Sequence, residues 1–200
     1  MIALEVICLA FLVNSVFGGI TNARPPISFL KLATCQEYVT NSDPCEHFFP
    51  IDVFKNNKSS EYKLRLKFYV MGAVDANIKL SNGQDVEMVP YTIVVGGHNN
   101  TYSRIRNSAM HTTGLDSNIT GILSPLWPTP IDVRLKHDGE LSVAITGVGD
   151  PLLRANTPDL DVKSLCLNVW RSEGRWFYNC NEDDESISAV SPCQIELPVN

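Results

Sequence analysis

From Tyr62 onward, apolar and polar residues alternate along most of the chain. Tyr62, Leu64, Leu66, Phe68 and Val70 fall on one side of an extended backbone, and Lys63, Arg65, Lys67 and Tyr69 on the other. This predicts a long strand with one dry and one wet face. Ala76–Leu80 reads as a short strand ended by the turn residues Ser81-Asn82-Gly83. Tyr91, Ile93 and Val95 alternate with Thr92 and Val94, until Gly96-Gly97, which lack a Cβ, allow a tight corner. His98-Asn99-Asn100-Thr101 forms a polar tip. Tyr102–Arg106 then returns with Ser103 and Ile105 on one side and Arg104 and Arg106 on the other.

Ile131, Val133 and Leu135 reverse at His137-Asp138-Gly139 into Leu141, Val143 and Ile145, a predicted hairpin. Leu165–Trp170 and Arg175–Cys180 read as another, closed by Ser172-Glu173-Gly174, with Trp170 opposite Trp176. Ser108–Pro130, which holds Trp127, and Gly147–Ser164 read as loops; Thr21–Ser60 shows little period. No ten-residue window after the first nineteen residues carries the helical period. About eight short strands point to an all-β fold, an antiparallel β-sandwich of jelly-roll type.

Residues 2–17 are an apolar run broken only by Glu5, Asn14 and Ser15, and Val16-x-Gly18 suits a cleavage site. Residues 1–18 are therefore expected to be a signal peptide and the product secreted, with no other run approaching the ~18–20 apolar residues of a membrane span. Loss of the leader removes Cys8 and leaves Cys35, Cys45, Cys166, Cys180 and Cys193, which read as disulfide partners in an oxidising compartment. The register of the last hairpin sets Cys166 across from Cys180, a predicted cross-strand bridge. Cys35, Cys45 and Cys193 compete for a second. Asn57-Lys58-Ser59, Asn99-Asn100-Thr101 and Asn118-Ile119-Thr120 are sequons for N-glycosylation.

Formal net charge is −6, or −5 once Glu5 leaves with the leader, which argues against nucleic acid as a partner. Glu182–Glu185 reads as a solvated acidic tail, because the spacing of a calcium loop is missing. The expected organisation is a leader (1–18), an N-terminal extension (19–60), a β domain (61–180) and an acidic C-terminal tail (181–200).

The run Tyr91–Arg106, YTIVVGGHNNTYSRIR, resembles the signature of the farnesoic acid O-methyltransferase-like domain family of insect and other invertebrate proteins. The match rests on Tyr91, Ile93, Val94, Gly96, Gly97, Asn100, Thr101, Ser103, Ile105 and Arg106, with Thr92 where the family often has Glu. Phe68-x-Val70-x-x-Ala73-x-Asp75-Ala76-x-Ile78-x-Leu80 upstream is similar to the family's entry strands. Leu126-Trp127 and Trp170-x-x-x-Gly174-x-Trp176-x-Tyr178 downstream sit where the family places tryptophans. The similarity covers about Glu61–Cys180, and the family name implies methyl transfer to farnesoic acid in juvenile-hormone-type metabolism.

The residues themselves point elsewhere. S-adenosylmethionine enzymes of the common type use a doubly wound parallel sheet with a Gly-rich turn feeding a helix. Thr146-Gly147-Val148-Gly149-Asp150-Pro151 lacks a third glycine, and too short a segment follows it for a helix. No Gly-x-Ser-x-Gly or His-Glu-x-x-His occurs, and His47, His98, His111 and His137 are scattered. The expectation is a non-catalytic recognition module without cofactor, binding a carbohydrate, a small carboxylated lipid or a protein. Asn100, Ser103, Arg104, Arg106 and Trp127 are its candidate ligand contacts, with guanidinium forks for oxyanions or hydroxyls and a flat ring for stacking. Arg106 has a structural alternative, an ion pair with Asp75 or Asp132; core packing is the alternative for the tryptophans. An enzyme or accessory in farnesoic acid metabolism and a structural extracellular protein are the competing functions.

Overall fold

A computed structural model describes residues 29–40, 45, 47–84, 86–170 and 172–181. The predicted leader, Cys193 and Glu182–Glu185 lie outside them. Within the described residues, twelve strands follow a short helix, α1 (Phe29–Leu32). They are β1 (Gln36–Thr40), β2 (Phe49–Pro50), β3 (Tyr62–Met71), β4 (Ala76–Ser81), β5 (Tyr91–Gly96), β6 (Tyr102–Asn107), β7 (Thr112–Ser117), β8 (Thr129–Lys136), β9 (Glu140–Ile145), β10 (Gly149–Asn156), β11 (Ser164–Val169) and β12 (Gly174–Tyr178).

The strands form one curled sheet in the order β1-β12-β3-β8-β9-β10-β7-β6-β5-β4-β11-β2. All registered pairs are antiparallel, so the expected all-β antiparallel class holds. β7 joins the two halves, pairing β10 on one side and β6 on the other. Period-2 alternation turns one set of side chains inward from both halves. Leu64, Leu66, Phe68 and Val70 of β3, Ile78 and Leu80 of β4, Ile93 and Val95 of β5, and Val133 and Leu135 of β8 share one apolar cluster. Burial of each such side chain stabilises the fold by about 1.5–3 kcal/mol before entropy is counted.

Four strands arise where the sequence suggested irregular chain: β1, β2, β7 and β10. The predicted Trp170/Trp176 hairpin does not form. β11 pairs with β4 and β2, while β12 pairs with β3 and β1, so the chain crosses between the two halves after Val169. Every residue of β11 is buried, as in a strand with neighbours on both edges. Gly174 lies so close to Val169 that a Cβ there would sit 2.1 Å from Val169 Cγ2. The glycine permits this close packing rather than a hairpin turn.

The predicted Cys166–Cys180 bridge is therefore corrected. Cys45 bonds Cys166 in one half and Cys35 bonds Cys180 in the other. Cross-strand geometry required β11 and β12 to be neighbours, and they are not. Residues 36–40 and 49–50 of the predicted N-terminal extension are sheet strands tied to the domain by these bridges.

Candidate ligand-binding corner

The Gly96-Gly97 corner connects β5 to β6 by a run of left-handed residues. Gly96, His98, Asn99 and Asn100 have φ values of 63°, 49°, 57° and 63°. For residues with a Cβ this conformation costs roughly 1–2 kcal/mol each, least for Asn, so the turn must be held by its surroundings. Asn100 provides the hold. Its Nδ2 donates to Leu123 O at 2.8 Å, and Leu123 N–H donates to its Oδ1 at 3.0 Å. Gly121 N–H donates to Asn100 O at 2.8 Å. A Cβ on Gly96 would approach Asn100 Oδ1 to 2.6 Å and Leu123 Cδ1 to 2.7 Å, so glycine is required by space as well as by φ.

Ser103 is fully buried and its Oγ accepts from Gly96 N–H at 3.1 Å. Both Asn100 and Ser103, expected as ligand contacts, thus have their polar groups engaged inside the corner. Asp75 joins the same end: its N–H donates to Gly96 O and its O accepts from Trp170 N–H. Neither Asp75 nor Asp132 pairs with Arg106.

The outward face of β6 carries Tyr102, Arg104 and Arg106 at alternate positions. The Arg104 guanidinium lies 3.8 Å from the Tyr102 ring centroid, a cation–π stack. Arg106 Nη2 donates to the Tyr102 hydroxyl at 2.5 Å. Arg104 Nη1 donates to Thr112 Oγ1 of β7 at 3.2 Å, whereas its Nε is shielded and has no partner among the described residues. The ring rests on Gly97, where a Cβ would lie 2.5 Å from Tyr102 Cε2. Tyr102 organises both guanidinium groups, yet it is not among the candidate contacts Asn100, Ser103, Arg104, Arg106 and Trp127 that the sequence suggests. Its signal was its place two residues before Arg104 on the same strand face.

Trp127 stands apart from this stack. It is 58% exposed beside Leu126 at 70%, and its ring centroid is 5.5 Å from that of Phe29. Ser124 Oγ shapes this loop by accepting from the N–H groups of both Leu126 and Trp127. Ser124 O accepts from Gly72 N–H, so the Trp127 loop runs from the Asn100 clamp to the β3–β4 connection. Trp176, fully buried, is core; Trp170 is partly exposed.

A second polar centre lies on the outer face of β3 and β8. Asp132 accepts from Arg65 Nη2 at 2.7 Å and from Arg134 Nε at 3.0 Å, and Arg134 also pairs with Asp150. Burial of Asp132 works against its charge, but the hydrogen bonds from Arg65 and then Arg134 outweigh it and hold the carboxyl below its ordinary range. Among the described residues no three His, Cys, Asp or Glu side chains gather as a metal site, and no helix is long and apolar enough to cross a membrane.

An antiparallel curled sheet with a Gly-Gly corner and an aromatic–guanidinium face on β6 defines the class as a β-rich domain. The sequence model described as Farnesoic acid O-methyl transferase matches residues 43–182, and the chain belongs to that family. No curated protein matches it.

Proposed function

We propose that this chain is a secreted recognition module of the farnesoic acid O-methyltransferase family that binds its ligand without transferring a group to it. The carrying observation is the fixed pair of guanidinium groups on β6, Arg104 stacked on Tyr102 and Arg106 bonded to its hydroxyl. Planar donors held in this way match the oxygens of a carboxylate or the adjacent hydroxyls of a sugar. Trp127 adds an exposed ring on which a sugar or alkyl chain can stack. The ligand is a carbohydrate, a small carboxylated lipid or a protein surface presenting such groups.

Binding without transfer is supported by the connection from β9 to β10. The glycine pair Gly147 and Gly149 sits in a tight reversal, with Val148 N–H donating to Ile145 O, and leads into a strand rather than a helix. Secretion, with residues 1–18 as leader and 181–200 as acidic tail, is supported by two disulfides and by the exposed positions of Asn57, Asn99 and Asn118 for glycans. The family description favours a second reading, in which the chain methylates farnesoic acid or assists an enzyme that does.

Calorimetric titration with a panel of saccharides and carboxylated lipids, farnesoic acid included, tests the first reading. Arg104→Ala and Arg106→Ala should each weaken the ligand found by more than about tenfold with unchanged thermal unfolding. Binding that survives both substitutions would overturn it.

A further inference from the structure

Arg104 and Arg106 stand two apart on the outward face of β6, yet their ends converge on one ring. Their guanidinium carbons lie 3.8 and 5.8 Å from the Tyr102 centroid. Among the described residues, every group that these two cations touch is neutral: the ring, its hydroxyl and Thr112 Oγ1. Both side chains are half-buried. Two like charges held together partly out of water repel, and a ring and a hydroxyl offset only part of that.

The same chain shows how such a pair is completed. Arg65 and Arg134 face each other across β3 and β8, and the Asp132 carboxylate accepts from both. On β6 no carboxylate of the described residues takes that place. The neighbouring strand β5, YTIVVG, has no acid, and Asp116, the one acid of β7, pairs with neither arginine. Arg104 Nη1 is committed to Thr112 and Arg106 Nη2 to Tyr102, which leaves other donors of both guanidinium groups without protein partners. A hydroxyl borders the pair on each side. Thr92 of β5 and Thr112 of β7 are the two register partners of Arg106.

We propose that the β6 face binds an acidic saccharide, a sugar chain carrying the carboxylate of a uronic acid. The carboxylate takes the part that Asp132 plays on β3 and β8, shared between Arg104 and Arg106 through charge-assisted hydrogen bonds. Thr92 and Thr112 meet the hydroxyls of the same sugar, since each hydroxyl both donates and accepts. Neither a neutral sugar nor a carboxylate without hydroxyls answers both features. The inference rests on the reading above that β6 carries the binding face, and it narrows the ligand to one class.

Titration of the whole chain with short oligouronates tests this: trigalacturonate, trimannuronate and a hyaluronan tetrasaccharide, each beside its methyl ester. At least one acid should bind, and its ester, alike but uncharged, about tenfold or more weakly. Added salt should weaken the acid and leave the ester unchanged. Thr92→Val should weaken the acid about two- to tenfold, the worth of one hydrogen bond. The ester comparison uses the unaltered chain and so holds whether or not a variant folds. Farnesoic acid and hexaglutamate are titrated alongside. An ester as tight as its acid overturns the carboxylate assignment. Binding of farnesoic acid or hexaglutamate with no uronate bound overturns the saccharide assignment, as does no binding at all. An ester match or a farnesoic acid or hexaglutamate ligand that Arg104→Ala and Arg106→Ala abolish leaves the recognition reading standing. Uronate binding that survives both arginine substitutions overturns that reading together with this inference.

Discussion

Asn100 grips Leu123 by both of its backbone groups, donating to the carbonyl at 2.8 Å and accepting from the amide at 3.0 Å. Asn100 is itself left-handed, a conformation its side chain tolerates better than most. Asn100→Ala removes both bonds and should cost about 2–3 kcal/mol in chemical denaturation. Amide exchange should quicken from Gly121 to Trp127, the segment this clamp holds. Unchanged exchange there would show that Leu123 is held by something else.

Gly97 leaves the room that the Tyr102 ring occupies. Gly97→Ala should displace the ring and cost about 1–3 kcal/mol, as overpacking does. In a Tyr102→Ala background the same substitution should cost much less, since the atom it strikes is gone. A double-mutant cycle with additive costs would refute the contact.

The Gly-Gly corner and its return strand were legible in sequence because period and turn residues agree there. β3 was legible for the same reason, with nine alternating residues from Tyr62 to Val70. β10 was hidden because Asp150-Pro151 interrupts its pattern. The register shifts between Gly149 and Leu153, so the proline, which lacks an N–H, falls in the irregularity. β7, TTGLDS, is largely exposed and carries one large apolar residue, too little to show a period. The β11–β12 pairing failed because Gly174 looked like a hairpin glycine, whereas long-range partners β4 and β3 take the strand edges. Among site residues, Arg104 and Arg106 were legible as the outward set of β6. The inward duty of Asn100 depends on Leu123, twenty-three residues away, which no local pattern encodes.

Disulfide connectivity gives a direct check. Digestion without reduction should release one peptide pair joining Cys35 to Cys180 and another joining Cys45 to Cys166. A Cys166–Cys180 peptide would contradict the sheet order. Replacing Cys35 and Cys180 by Ser together should cost about 2–5 kcal/mol.

Asp132 sets an acid limit. Its folded pKa is depressed, so its contribution to stability is present above the ordinary carboxylate range of about 4 and is lost as pH falls below it. Thermal unfolding of the wild type should drop more steeply in that acid range than that of Asp132→Asn. At neutral pH the variant should be less stable by about 1–3 kcal/mol, because two guanidinium groups lose a charged acceptor. Parallel acid profiles would show that Asp132 is not held by its arginines.

Recognition without group transfer is tested most directly by incubating the purified chain with S-adenosylmethionine and farnesoic acid. Mass spectrometry then follows the methyl ester and S-adenosylhomocysteine. A binding module yields neither above the protein-free background. Ester accumulating in proportion to the amount of protein would contradict it and establish the chain as a methyltransferase.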